Sequence, residues 1–98
     1  MALRVTYSAE REIRQALSWW RRNRAASPDL LLEELRRALE LITAQPLVGS
    51  PLADSTLGAV RKVILVRTRY MLFYRTRNAE HTEVLALWHS SRGRRPNL

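Results

Sequence analysis

Two hydrophobic periods meet in this chain, and the place where one gives way to the other sets the architecture. Across residues 9–24, Ile13, Ala16, Leu17 and Trp20 recur at helical spacing, while Arg11, Arg14, Gln15, Arg21 and Arg22 fill the positions between them. Such spacing gathers apolar groups on one stripe of a helix. From Val60 onward the period is two, and residues 60–66, 70–76 and 82–89 read as three strands in succession. Pro46, Gly49, Pro51 and Gly58 separate the two regimes, so "PLVGSPLADSTLG" reads as a loop.

The remaining elements follow from end signals. Residues 3–7 alternate and precede Ser8, a suitable N-cap, with Glu10 and Glu12 in the first helical turn. A short strand therefore feeds the first helix. "RAASPD" breaks that helix, and Ser27, Pro28 and Asp29 supply a cap, a first-turn proline and an early acid for a second one. The second helix stops before Pro46. Its stripe of Leu32, Leu35, Leu39 and Ile42 is widened by Leu31, Ala38 and Leu41 beyond what one sheet face requires. Thr68–Arg69 and the segment 77–80 connect the strands.

Neither a helical hairpin nor a three-strand meander buries its apolar face alone. The expected fold is α+β: an N-terminal strand and a two-helix hairpin packed on an antiparallel sheet, with a C-terminal three-strand meander. Ninety-eight residues support one core, so residues 1–98 are read as a single domain. In "YMLFYR", Tyr70, Leu72 and Tyr74 share one face of the strand, and Met71, Phe73 and Arg75 share the other. On the last strand Val84, Ala86 and Trp88 oppose Glu83, Leu85, Leu87 and His89. The aromatics are thus packing residues, whereas Arg61, Arg67, Arg69, Arg75, Arg77 and Arg92 gather at strand ends.

Charge is uneven. Up to Gly58 there are 8 basic and 7 acidic residues (8 − 7 = +1), and from Ala59 onward 9 basic and 2 acidic (9 − 2 = +7), which together give the net +8. The second half therefore favours an acidic partner. All the basic residues but Lys62 are arginine, whose fork suits carboxylate and phosphate. With no cysteine and only two separated histidines, neither a metal site nor a cofactor is expected. The chain lacks a signal-peptide core or a membrane-length apolar run, and a cytoplasmic location is expected.

The ordered combination "YSAEREI", "ITAQPLVGSP", "VRKVIL", "RYMLFYR" and "VLALWHSSR" resembles the ParE branch of the ParE/RelE toxin superfamily over residues 5–95. That resemblance implies a bacterial toxin of a type II toxin-antitoxin module, of the kind associated with plasmid stabilisation. ParE-like members bind and block DNA gyrase. RelE-like members, the alternative, cut messenger RNA on the ribosome without a metal. Such cleavage needs a base near the ribose hydroxyl, cations around the phosphate and an acid for the leaving oxygen. Arg61, Lys62, His89 and Arg92 are the residues available for it. Ile64, however, stands where a second lysine would be, Met71 where an arginine would be, and no tyrosine follows His89. A stoichiometric inhibitor is the favoured expectation, with Arg92, Arg94 and Arg95 in the tail as its target contacts.

The resemblance further implies a ParD-like antitoxin, a ribbon-helix-helix protein whose acidic amphipathic C-terminal segment wraps the toxin in a hetero-oligomer. An amphipathic segment docks by laying apolar anchors in a groove. Trp19, Trp20, Leu31, Leu35, Ala38, Leu41 and Ile42 are the expected apolar lining, and Arg67, Arg69 and Arg75 the expected partners for its acids. Trp19 and Trp20 project about 100° apart on a helix, so one is expected to face outward.

Overall fold

A computed structural model describes residues 3–53, 55, 57–78, 81–93, 96 and 98. The elements run β1 (Leu3–Val5), α1 (Tyr7–Asn23), α2 (Leu30–Ala44), β2 (Ser50–Pro51), β3 (Val60–Leu65), β4 (Tyr70–Asn78) and β5 (His81–His89). They form the expected α+β arrangement, a five-stranded sheet in the order β1-β5-β4-β3-β2. β1 joins it parallel to β5, and every other pair is antiparallel. β2 is an addition to the expected fold: Ser50 and Pro51 lie against Lys62 and Arg61 inside the segment read as loop.

Both helix starts differ from the expected ones, for local reasons. The β1 ladder extends as far as Thr6, whose N–H donates to the Val84 carbonyl. Thr6 is thus the first residue free to cap, and its Oγ1 accepts from the Ala9 N–H at 3.2 Å. Ser8 falls inside the first turn. At α2 the Ser27 carbonyl accepts from the Trp20 indole at 2.8 Å and from the Leu30 N–H at 3.2 Å, which holds residues 27–29 in a turn. Asp29 takes the cap position, but its carboxylate pairs with Arg21 at 3.1 Å and makes no cap bond.

One face of the sheet is covered by both helices. Ala9, Ala16 and Trp20 from α1, and Leu31, Leu35, Ala38 and Ile42 from α2, pack on Leu65, Tyr70, Leu72, Tyr74, Val84 and Leu87. The opposite face holds Phe73, Ala86 and Trp88, against which Leu52, Met71 and Leu98 pack. Strict alternation along β5 fails here. Phe73 pairs with Ala86 but Tyr74 pairs with Val84, which leaves Leu85 as an extra residue. Such a bulge exchanges the two faces, so Val84 lies on the helical side while Ala86 and Trp88 lie on the other.

Glu34 on α2 fastens the β3–β4 connection. Its carboxylate accepts from the Arg67 N–H at 2.8 Å, the Thr68 N–H at 3.0 Å and the Thr68 hydroxyl at 2.7 Å. Thr68 is buried, so water cannot replace all three bonds. Glu34→Gln keeps one acceptor oxygen and loses the charge, and it should destabilise the fold by about 1–2 kcal/mol, as read by urea unfolding. An unchanged midpoint would remove Glu34 from this role.

Candidate functional site

The loop after α2 is tied to the sheet through Tyr74 and Arg61. The Tyr74 hydroxyl accepts from the Gly49 N–H at 2.9 Å and donates to the Pro46 carbonyl at 2.7 Å. Arg61 Nη1 donates to the carbonyls of Leu47 at 3.0 Å and Gly49 at 2.6 Å. Gly49 has no room for a side chain: a Cβ there would lie 2.8 Å from the Tyr74 ring and hydroxyl, and 2.9 Å from the Lys62 carbonyl. Burial pushes the Tyr74 hydroxyl above the usual tyrosine value, against smaller opposing pulls from the Gly49 N–H and the Arg61 cation. "QPLVG", the arginine of "VRKVIL" and the second tyrosine of "YMLFYR" are therefore one structural clasp.

His89 lies at the other end of the sheet. It pairs with Tyr70, and the two rings meet edge to face at 5.0 Å. Its Nδ1 lies 2.8 Å from the Ser91 hydroxyl and accepts from the Ser91 N–H at 3.1 Å. Together with Trp19, Arg24 and Tyr70, these residues line an open hollow of about 410 Å³. The Arg24 guanidinium stands over both the Trp19 and Trp20 rings, at 5.3 and 5.7 Å. Trp20 is buried and Trp19 is 41% exposed, so Trp19 is the outward tryptophan. Burial raises the Tyr70 hydroxyl above its ordinary value, and the Arg24 charge opposes that rise.

The four residues considered for cleavage chemistry do not gather. Arg61 pairs with Tyr74 and His89 with Tyr70. Four strand residues, roughly 13 Å, therefore separate their positions along β4. Lys62 pairs with Phe73 on the face away from the helices. Arg92 is also on that face, its guanidinium 3.7 Å from the centre of the Trp88 ring. The set thus spans two faces and both ends of the sheet.

The expected partner-binding residues also separate. Leu31, Leu35, Ala38 and Ile42 are the buried centre of the α2 stripe, which packs into the core and leaves no spare surface at these four positions. Leu41 is 40% exposed on its margin. Arg67 and Arg69 are exposed, whereas Arg75 is half-buried and its Nη2 donates to Glu83 at 2.5 Å. Arg92 is exposed, and Arg94 and Arg95 lie outside the described residues.

Sequence reasoning missed Glu12. β1 pairs with β5 only across residues 82–84, and beyond them the Glu12 carboxylate accepts from the Leu87 N–H at 3.1 Å and the Trp88 indole at 3.3 Å. An acid in a first helical turn is ordinarily explained by the helix dipole. That local explanation hides the contact across the sheet edge.

A family model described as the ParE toxin of the type II toxin-antitoxin system, parDE, matches residues 3–94. No curated protein matches the chain. Among the described residues no helix is long and apolar enough to cross a membrane.

Proposed function

Because the chain belongs to the ParE toxin family of type II toxin-antitoxin systems, we propose that it inhibits DNA gyrase by stoichiometric binding and is neutralised by a ParD-like antitoxin. The observation that carries this reading is the dispersal of its basic side chains. Arg61 is spent on the loop clasp, while Lys62 and Arg92 lie on the opposite face from His89. General acid-base cleavage needs its groups around one reacting phosphate, whereas inhibition by binding needs only a complementary surface.

The antitoxin contact we propose narrows to the exposed members of the expected set, Trp19, Leu41, Arg67 and Arg69. The target contact we propose runs through Arg92, with Arg94 and Arg95 beyond it. Purified protein should block supercoiling by gyrase at near-equimolar ratios. New messenger RNA ends produced with ribosomes, and no effect on gyrase, would replace this reading with the ribonuclease one. His89→Ala should leave gyrase inhibition within about twofold of the parent, since removing a group that takes no part in a chemical step changes only local packing. Complete loss of activity in a folded His89→Ala protein would restore a catalytic role.

A further inference from the structure

A second basic site lies apart from the surfaces above. Arg4, Arg75, Arg77, Asn78, His81, Thr82 and Glu83 line an open pocket of about 390 Å³. It is built by register: Arg4 on β1 is paired with Glu83 on β5, and Glu83 with Arg75 on β4. Directly paired residues have Cβ atoms about 5 Å apart on one face, so these three charges form a row across three strands. Glu83 is satisfied by Arg75 in a half-buried pair that fixes one guanidinium. One cation is thereby cancelled.

Arg4 and Arg77 remain. Both are exposed, and neither forms an ion pair among the described residues. Like charges brought together on a sheet repel one another, and among the described residues lining the pocket only the one carboxylate offsets them. The described lining thus carries three guanidiniums against one carboxylate, with the His81 imidazole beside them. The volume falls in the range of small-molecule sites, roughly 300–1,000 Å³.

From this geometry we propose that the pocket binds a phosphoryl anion, either a free diphosphate-sized ligand or a phosphate of a nucleic acid backbone. Carboxylate has two oxygens and satisfies one fork. Phosphoryl groups offer three or more oxygens around a tetrahedral centre, which matches guanidiniums arriving from different strands. Glu83 occupies the Arg75 guanidinium and lowers the net positive charge of the pocket, so it competes with the anion.

Pyrophosphate titrated into the full chain by calorimetry tests the proposal. Saturable binding at one site is expected, weakened at least tenfold in Arg4→Ala/Arg77→Ala and little changed in Arg92→Ala on the Trp88 surface. Both substituted side chains are exposed, and the single variant Arg77→Ala, expected to weaken binding several-fold, serves should the double variant melt early. Glu83→Gln should bind more tightly, because Arg75 is released from its carboxylate. A short DNA duplex then separates the sources. Binding that pyrophosphate displaces and the double variant loses identifies a backbone phosphate; uptake of pyrophosphate alone identifies a small free anion. No saturable binding, or binding indifferent to Arg4 and Arg77, overturns the proposal, and neither result bears on gyrase inhibition.

Discussion

Gly49→Ala should cost about 3 kcal/mol and lower the melting temperature by on the order of 15 °C, because the added methyl meets rigid neighbours on two sides. That methyl would lie 2.8 Å from both the Tyr74 ring edge and its hydroxyl, and 2.9 Å from the Lys62 carbonyl. A β3 carbonyl moves only with its strand, and Tyr74 is fully buried. The loop must therefore lift, and lifting breaks the Gly49–Tyr74 and Gly49–Arg61 hydrogen bonds together. Tyr74→Phe removes the hydroxyl alone and leaves the Gly49 N–H and the Pro46 carbonyl without their partner, at about 1–3 kcal/mol. The two substitutions share one contact, so the double variant should be less destabilised than their sum by about 1 kcal/mol. Strict additivity would show that the clasp is not a unit.

The same clasp predicts an alkaline response. Tyr74 has its folded pKa raised by burial, so the folded state resists losing that proton while the unfolded chain gives it up near the ordinary value of about 10. Its contribution is full below that value and is lost as pH rises towards the folded pKa. Tyr70 is shifted the same way and adds to the slope. In Tyr74→Phe the fall in melting temperature above pH 10 should be shallower than in the parent.

What is legible in the sequence follows the range of the interactions. The α1 stripe, the "YMLFYR" faces and the order of elements rest on local periodicity, and local periodicity survives folding unchanged. Leu85 shows where that ends: a bulge is decided by the pairing of β4 with β5, and one extra residue places Ala86 and Trp88 on the face opposite Val84. Glu34, Glu12 and Arg61 escape a sequence reading for a related reason. Each satisfies backbone groups far away in sequence, and a charged residue on an amphipathic pattern looks like solvated surface until those groups are located. Arg61 has an arginine's chemistry and a plausible place in a phosphate clamp, yet two backbone carbonyls hold it. The wide α2 stripe looks like spare surface because a sequence counts apolar residues without showing how much of a twisted sheet they must cover.

The basic tail has the composition of an appendage, and its packing changes what deleting it would mean. Pro96 is buried, Leu98 packs against the Phe73, Ala86 and Trp88 cluster, and the Ser55 hydroxyl donates to the Leu98 carbonyl at 2.9 Å. Arg92 covers the Trp88 ring. Removing residues 91–98 should therefore destabilise the fold by about 3 kcal/mol, from roughly 2 kcal/mol of leucine burial and about 1 kcal/mol of cation–π contact. Trp88 should become accessible to fluorescence quenchers, and the melting temperature should fall by on the order of 15 °C. Loss of growth arrest in such a truncation would then report an unfolding toxin as readily as a missing target contact. Arg92→Ala separates the two, since it forfeits only the stacking, about 1 kcal/mol, and leaves Leu98 in place. If it stays folded at the growth temperature yet the proposed gyrase inhibition is lost, Arg92 is assigned to the target contact. A truncation that melts with the parent would instead return the tail to solvent and leave the Trp88 face free for a partner.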